Sequence, residues 1–185
     1  MLSKYFTTRI LKTVNAIDID EIDVIQELWS GYGKILRIYF KESDLNSVIV
    51  KLVRLPKKES KQRGSQSDFS HQRKIKSYRI ETAWYSKWSD KCTEACRVPR
   101  CLALDKQGDE VLIVLEDLNE SGYEYRKTSV TWNEMKVCIS WLAHFHAVYM
   151  NENPENLWKT GTYWHLSTRP DELKILKDNE LKQVA

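Results

Sequence analysis

One lysine stands where lysines are rarely found. Ser47-Val-Ile-Val-Lys-Leu-Val53 is an apolar, β-branched run, and Lys51 interrupts it. Desolvating an ammonium is costly unless an anion compensates it, so the run predicts a strand whose lysine meets one or more anions. Three other groups could do chemistry. Ser30-Gly-Tyr-Gly33 carries two glycines two apart, the usual mark of a tight turn. Cys92, Cys96 and Cys101 could ligate zinc with His71 or Cys138, but their spacing fits no common finger, and buried free thiols are the simpler reading. Between Lys57 and Arg79 eight Lys or Arg residues accompany Phe69 and Tyr78. Such a segment could track nucleic-acid phosphates. A middle reading has Arg63 and His71 facing an acidic or phosphorylated small molecule. The formal net charge of only +3 argues against nucleic acid and for a solvated basic face.

These residues need elements to position them. Asp23–Trp29 reads as a strand, Ser30–Gly33 as a turn, and Lys34–Phe40 as a second strand. The strand of Lys51 follows, which makes an antiparallel meander. Residues 3–22 are polar and mixed, with a short helix or an extended lead-in over 13–22. Pro56–Ser70 reads as a loop, and His71–Trp88 as a helix. Val98–Leu104 and the fully apolar Val111–Leu115 read as strands around an Asp105–Asp109 turn, and 116–122 as a linker. Thr131-Trp-Asn-Glu134 is a capping-box pattern that opens an amphipathic helix over 132–150. Its His144 and His146 are two apart, point to different faces and cannot chelate as a pair. A last helix starts around Thr168–Asp171, with Pro170 in its first turn, and runs to Ala185 without a stop signal.

With 185 residues, 42% of them hydrophobic, the chain can bury one core or slightly more. It has no run of 18 apolar residues and no secretory leader pattern at Met1. The expectation is a cytoplasmic protein with reduced thiols and no membrane partner.

The order of elements resembles the small lobe of the protein-kinase-like fold. Within that fold it is most similar to small-molecule kinases of the choline kinase-like and ecdysteroid kinase-like type, related to aminoglycoside phosphotransferases. The resemblance rests on Ser30–Gly33, Val48–Lys51, Tyr78–Tyr85, Val98–Cys101, Val114–Leu118 and Trp141–His146 taken in order. It implies an α+β fold: a five-stranded antiparallel sheet with one packed helix over 1–118, and the first helices of an incomplete helical lobe over 119–185. The activity implied is ATP-dependent phosphorylation of a hydroxyl on a small molecule whose identity the sequence does not give.

The resemblance also assigns roles. Gly31 and Gly33 would let backbone N–H groups approach phosphates, although Leu36 stands where a third glycine is usual. Lys51 would hold the α- and β-phosphates of ATP, oriented by Glu81. The hinge at 115–118 would seat adenine through the carbonyl of Glu116 and the N–H of Leu118, with Leu115 beside the ring. The catalytic Asp and the Mg²⁺ ligands of such enzymes follow a His-x-Asp loop. None of the four histidines (His71, His144, His146, His165) has Asp two residues on, and Asp68-Phe-Ser70 precedes the helix of Glu81. The 185 residues therefore read as an ATP-binding portion, inactive alone, whose 132–150 helix should expose apolar surface. A non-catalytic nucleotide- or partner-binding protein is the alternative.

Overall fold

The computed structural model describes residues 2–28, 31–55, 65–160 and 165–175. Five antiparallel strands form one sheet: β1 (Asp18–Glu27), β2 (Gly33–Lys41), β3 (Ser47–Arg54), β4 (Cys101–Gln107) and β5 (Glu110–Glu116). Their order is β1-β2-β3-β5-β4, so the lysine strand is central. This is the α+β architecture of a kinase-like small lobe. The helices are α1 (Lys4–Thr13), α2 (Ser65–Lys87), α3 (Trp132–Val148) and α4 (Pro170–Ile175). The chain divides into two compact units, residues 1–57 with 85–152, and residues 58–84 with 153–185.

In the first unit, strand alternation sorts β3 into two faces. Val48, Val50 and Leu52 enter the core with Leu36, Ile38, Leu112 and Val114. Phe6, Ile10 and Val14 of the α1 region close that core, all at most 3% exposed. Their spacing of four puts them on one helix face. Ser3 caps α1 by accepting a hydrogen bond from the Phe6 N–H at 3.2 Å. Ser3→Ala should cost about 1 kcal/mol of stability, read from denaturant midpoints.

Helix α1 lies ahead of the stretch 13–22 expected as a short helix or extended lead-in, and β1 begins at Asp18 rather than at residue 23. The reason is physical. Only Phe6 and Ile10 of α1, with Val14 at its C-cap, are apolar and buried, and the polar residues between them hide the period. Two further boundaries moved. Helix α2 starts at Ser65, inside the stretch read as a loop, and β4 runs on to Gln107 through the expected turn. The rest of the expected loop, 56–64, and the end of the last helix, 176–185, lie outside the described residues.

Helix α3 carries the expected capping box. Thr131 accepts from the Glu134 N–H, and Glu134 accepts from the Thr131 N–H. Lys127 pairs with the same carboxylate, and these contacts hold its pKa down to about 2. One face of α3 docks on the 88–97 segment. Trp141 Nε1 donates to the Arg97 carbonyl at 3.0 Å, and Tyr149 donates to the Trp88 carbonyl at 2.7 Å. No α3 residue is buried, and Trp132, Met135, Ile139 and Leu142 stand exposed on an adjoining face. Among the described residues, no helix is long and apolar enough to cross a membrane.

Candidate functional site

The two glycines do different things. Gly31 has φ +72° with open space where a Cβ would lie. Gly33, at φ +138°, sits so close to β3 that a Cβ would fall 1.9 Å from the Leu52 carbonyl oxygen. Its neighbour closes the turn from the other side, since the Tyr32 carbonyl accepts from the Arg54 N–H at 2.7 Å. Gly33→Ala should therefore destabilise by about 2–3 kcal/mol, because backbone must move. Gly31→Ala should cost only about 1 kcal/mol, the penalty of the left-handed conformation. Thermal or denaturant melts of the two variants check the ordering.

Beside the glycines lies a cavity of about 250 Å³ lined by Leu2, Val24, Leu36 and Leu52. It opens on the core face of the sheet. Lys51 does not line it. The register places Lys51 between Ile35 of β2 and Ile113 of β5, and alternation turns these three toward the opposite face. Ile113 is fully buried and Lys51 half-buried. Gly33 and Lys51 are held by the paired strands β2 and β3, Gly31 precedes β2, and the cavity itself belongs to the core side.

The end of β5 is the most firmly anchored part of the candidate site. Glu116 is 5% exposed. Arg97 reaches both its carboxylate oxygens at 3.0 Å, and the Arg100 N–H and Nε each donate at 3.0 Å. Asp117 is 4% exposed. It accepts from Arg37 Nε at 2.5 Å, from the Ser47 hydroxyl at 2.9 Å and from the Asn119 N–H at 3.1 Å. Burial alone would raise its pKa, but the donors from Arg37, Ser47 and Asn119 outweigh that and hold it below the ordinary value. The same pairing raises Arg37. So both acidic side chains of Leu115-Glu-Asp-Leu118 point into protein and are consumed there.

The backbone just after them is different. The Leu118 carbonyl accepts from the Ser121 and Tyr123 N–H groups at 3.1 and 2.9 Å. Among the described residues the Leu118 N–H itself donates to nothing. Leu115, half-buried, pairs with Ile49 across β3 and so shares the face of Lys51. Adenine contact through backbone rather than side chain is thus chemically open at Leu118.

Glu81 lies on α2, half-buried, in the second unit, whereas Lys51 is in the first. His71 is also half-buried on α2, and Arg63 lies outside the described residues. The cysteines are free, and among the described residues no three of His, Cys, Asp and Glu converge on a metal-sized point. Burial pushes the Cys101 thiol up to about 11 and raises Cys92 as well.

Sequence reasoning missed the anchors Arg37, Ser47, Arg97 and Arg100. A signal existed for one of them. Arg37 interrupts the apolar β2 run Ile35-Leu-Arg-Ile38 as Lys51 interrupts β3, and a second buried cation implies a second buried anion.

No curated protein matches the chain. The model of the ecdysteroid kinase-like family matches residues 32–171, from the glycine turn through the hinge to the start of the last described helix. The chain belongs to the ecdysteroid kinase-like family.

Proposed function

We propose that the chain is the ATP-binding portion of a phosphotransferase that phosphorylates a hydroxyl of a small molecule. The observation that carries this reading is the hinge. Its two acidic side chains are locked into protein, and the next backbone N–H, that of Leu118, is left without a protein partner among the described residues. A fixed edge with one open donor suits a flat heterocycle that needs directional hydrogen bonds. Leu115 would lie beside the ring, and the Glu116 carbonyl and Leu118 N–H would meet the adenine edge.

In this reading Lys51 holds the α- and β-phosphates and Glu81 orients it. Gly31 and Gly33 keep backbone N–H groups near the phosphates. Bound MgATP supplies the transferable phosphoryl group. The protein's part is to hold it in one pose, and positioning with electrostatic stabilisation is most of what this chemistry asks of a protein. Residues 1–118 would form the nucleotide lobe, 115–118 the hinge, and 119–185 the start of the helical lobe. The base that accepts the hydroxyl proton and the Mg²⁺ ligands are not assigned within these residues. The acceptor is not assigned either, and a cytoplasmic setting goes with the same reading.

Calorimetric titration of the 185-residue chain with MgATP tests the proposal. Saturable one-to-one binding, with no phosphate transfer to added hydroxyl compounds, is the expected result. Heat indistinguishable from dilution at millimolar nucleotide would refute it.

A further inference from the structure

Within the second unit the basic side of α2 lines a cavity. Phe69, Arg73 and Lys76 recur at i, i+4 and i+7, which brings them to one side of the helix. With Trp158, Lys159 and Arg169 they enclose a space of about 660 Å³. That volume lies within the range of small-molecule sites, roughly 300–1,000 Å³. Four of these six side chains are cationic, and among the described residues no carboxylate lines the space. The wall between them is polar and ordered. The Thr160 and Ser167 hydroxyls hydrogen-bond at 2.8 Å, and His165 Nδ1 stands 2.8 Å from the same Ser167 hydroxyl.

We propose that this cavity is a second ligand site, separate from the nucleotide site, for a small molecule that joins a phosphate- or sulfate-class anion to a flat apolar body. Two lysines and two arginines around one space favour an entering anion, a dianion more than a monoanion. Phe69 and Trp158 supply the surface for the apolar part. Lys76 Nζ sits over the Trp158 ring, 4.5 Å from its centroid.

The test is calorimetric titration of the whole chain with 2-naphthyl phosphate, 2-naphthyl sulfate, 2-naphthol and a twelve-residue thymidine oligonucleotide. Expected is one-to-one binding of the phosphate, weaker binding of the sulfate, and none of the naphthol. Lys76→Gln and Lys159→Gln, both at exposed positions, should each weaken the phosphate about five- to tenfold. Arg73→Lys and Arg169→Lys keep the charge and should lose less. Lys51→Met should leave this affinity unchanged. Naphthol binding as tightly as the phosphate would overturn the proposal, as would no binding at millimolar concentration. Loss of binding in Lys51→Met would place the ligand in the nucleotide site instead. Tighter binding of the oligonucleotide, lost in the same lysine variants, would replace a small-molecule site with a nucleic-acid surface.

Discussion

Lys51→Met should weaken MgATP binding about 10- to 100-fold while the fold survives. The magnitude follows from the loss of charge-assisted hydrogen bonds to phosphate, about 1.5–3 kcal/mol. Methionine keeps the unbranched stem between Ile35 and Ile113, beside the apolar β3 neighbours Val50 and Leu52, so the fold should survive and stability should change by about 1 kcal/mol at most. Calorimetry gives the affinity and a thermal melt gives the fold. Equal affinity in the variant would remove Lys51 from the site. A collapsed melt would make it a structural residue.

The second large effect is on the stretch proposed as the hinge. Asp117→Ala strips the half-buried Arg37 guanidinium of its buried carboxylate and leaves Ser47 and the Asn119 N–H without their acceptor. Breaking a largely buried pair from one side costs about 3–5 kcal/mol. For a chain of this size that is a fall in melting temperature of about 6–20 °C. ATP binding should fall with it, because the turn that offers Leu118 N–H is built on Asp117. The pH dependence has a definite sign. The folded-state pKa of Asp117 is lowered, so its contribution is complete above the unfolded value, near about 4, and disappears as pH falls through the folded value. The gap in melting temperature between wild type and Asp117→Ala should therefore be widest near neutral pH and narrow below about pH 4. A gap that stays constant into acid would mean that the Arg37 pairing is not what the substitution removes.

The sheet could be read in the sequence because its strands announce themselves. Val48–Val53 and Val111–Leu115 are dense in β-branched and aliphatic residues, and their short connections force antiparallel pairing. The capping box at Thr131 and Glu134 was equally legible, since it is a local pattern that tertiary contacts need not complete. Helix α1 was not, because its buried Phe6 and Ile10 are scattered among mostly polar residues and, with Val14 at the C-cap, gain meaning only against the sheet. The start of α2 was hidden for a related reason. Ser65–Ser70 has the composition of a loop, and helix there does not follow from propensity alone. At the candidate site, Lys51 and the Leu115–Leu118 stretch could be singled out by type and order. The donors that fix the Glu116 and Asp117 carboxylates could not. Arg37 and Ser47 lie on β2 and β3 and Arg97 and Arg100 just before β4, and only folding brings them to these adjacent carboxylates.

Lys51 and residues 115–118 as a nucleotide site are tested most directly by where MgATP touches the chain. Amide shifts of the ¹⁵N-labelled protein, followed as MgATP is added, would show it residue by residue. The prediction is that the largest shifts fall on Leu118 and its hinge neighbours, on Gly31, and on the β3 amides around Lys51, with a common saturation midpoint. Shifts concentrated instead on Arg73, Lys76, Trp158 and Lys159, with the hinge amides unmoved, would contradict the assignment of the hinge and Lys51 as the nucleotide site.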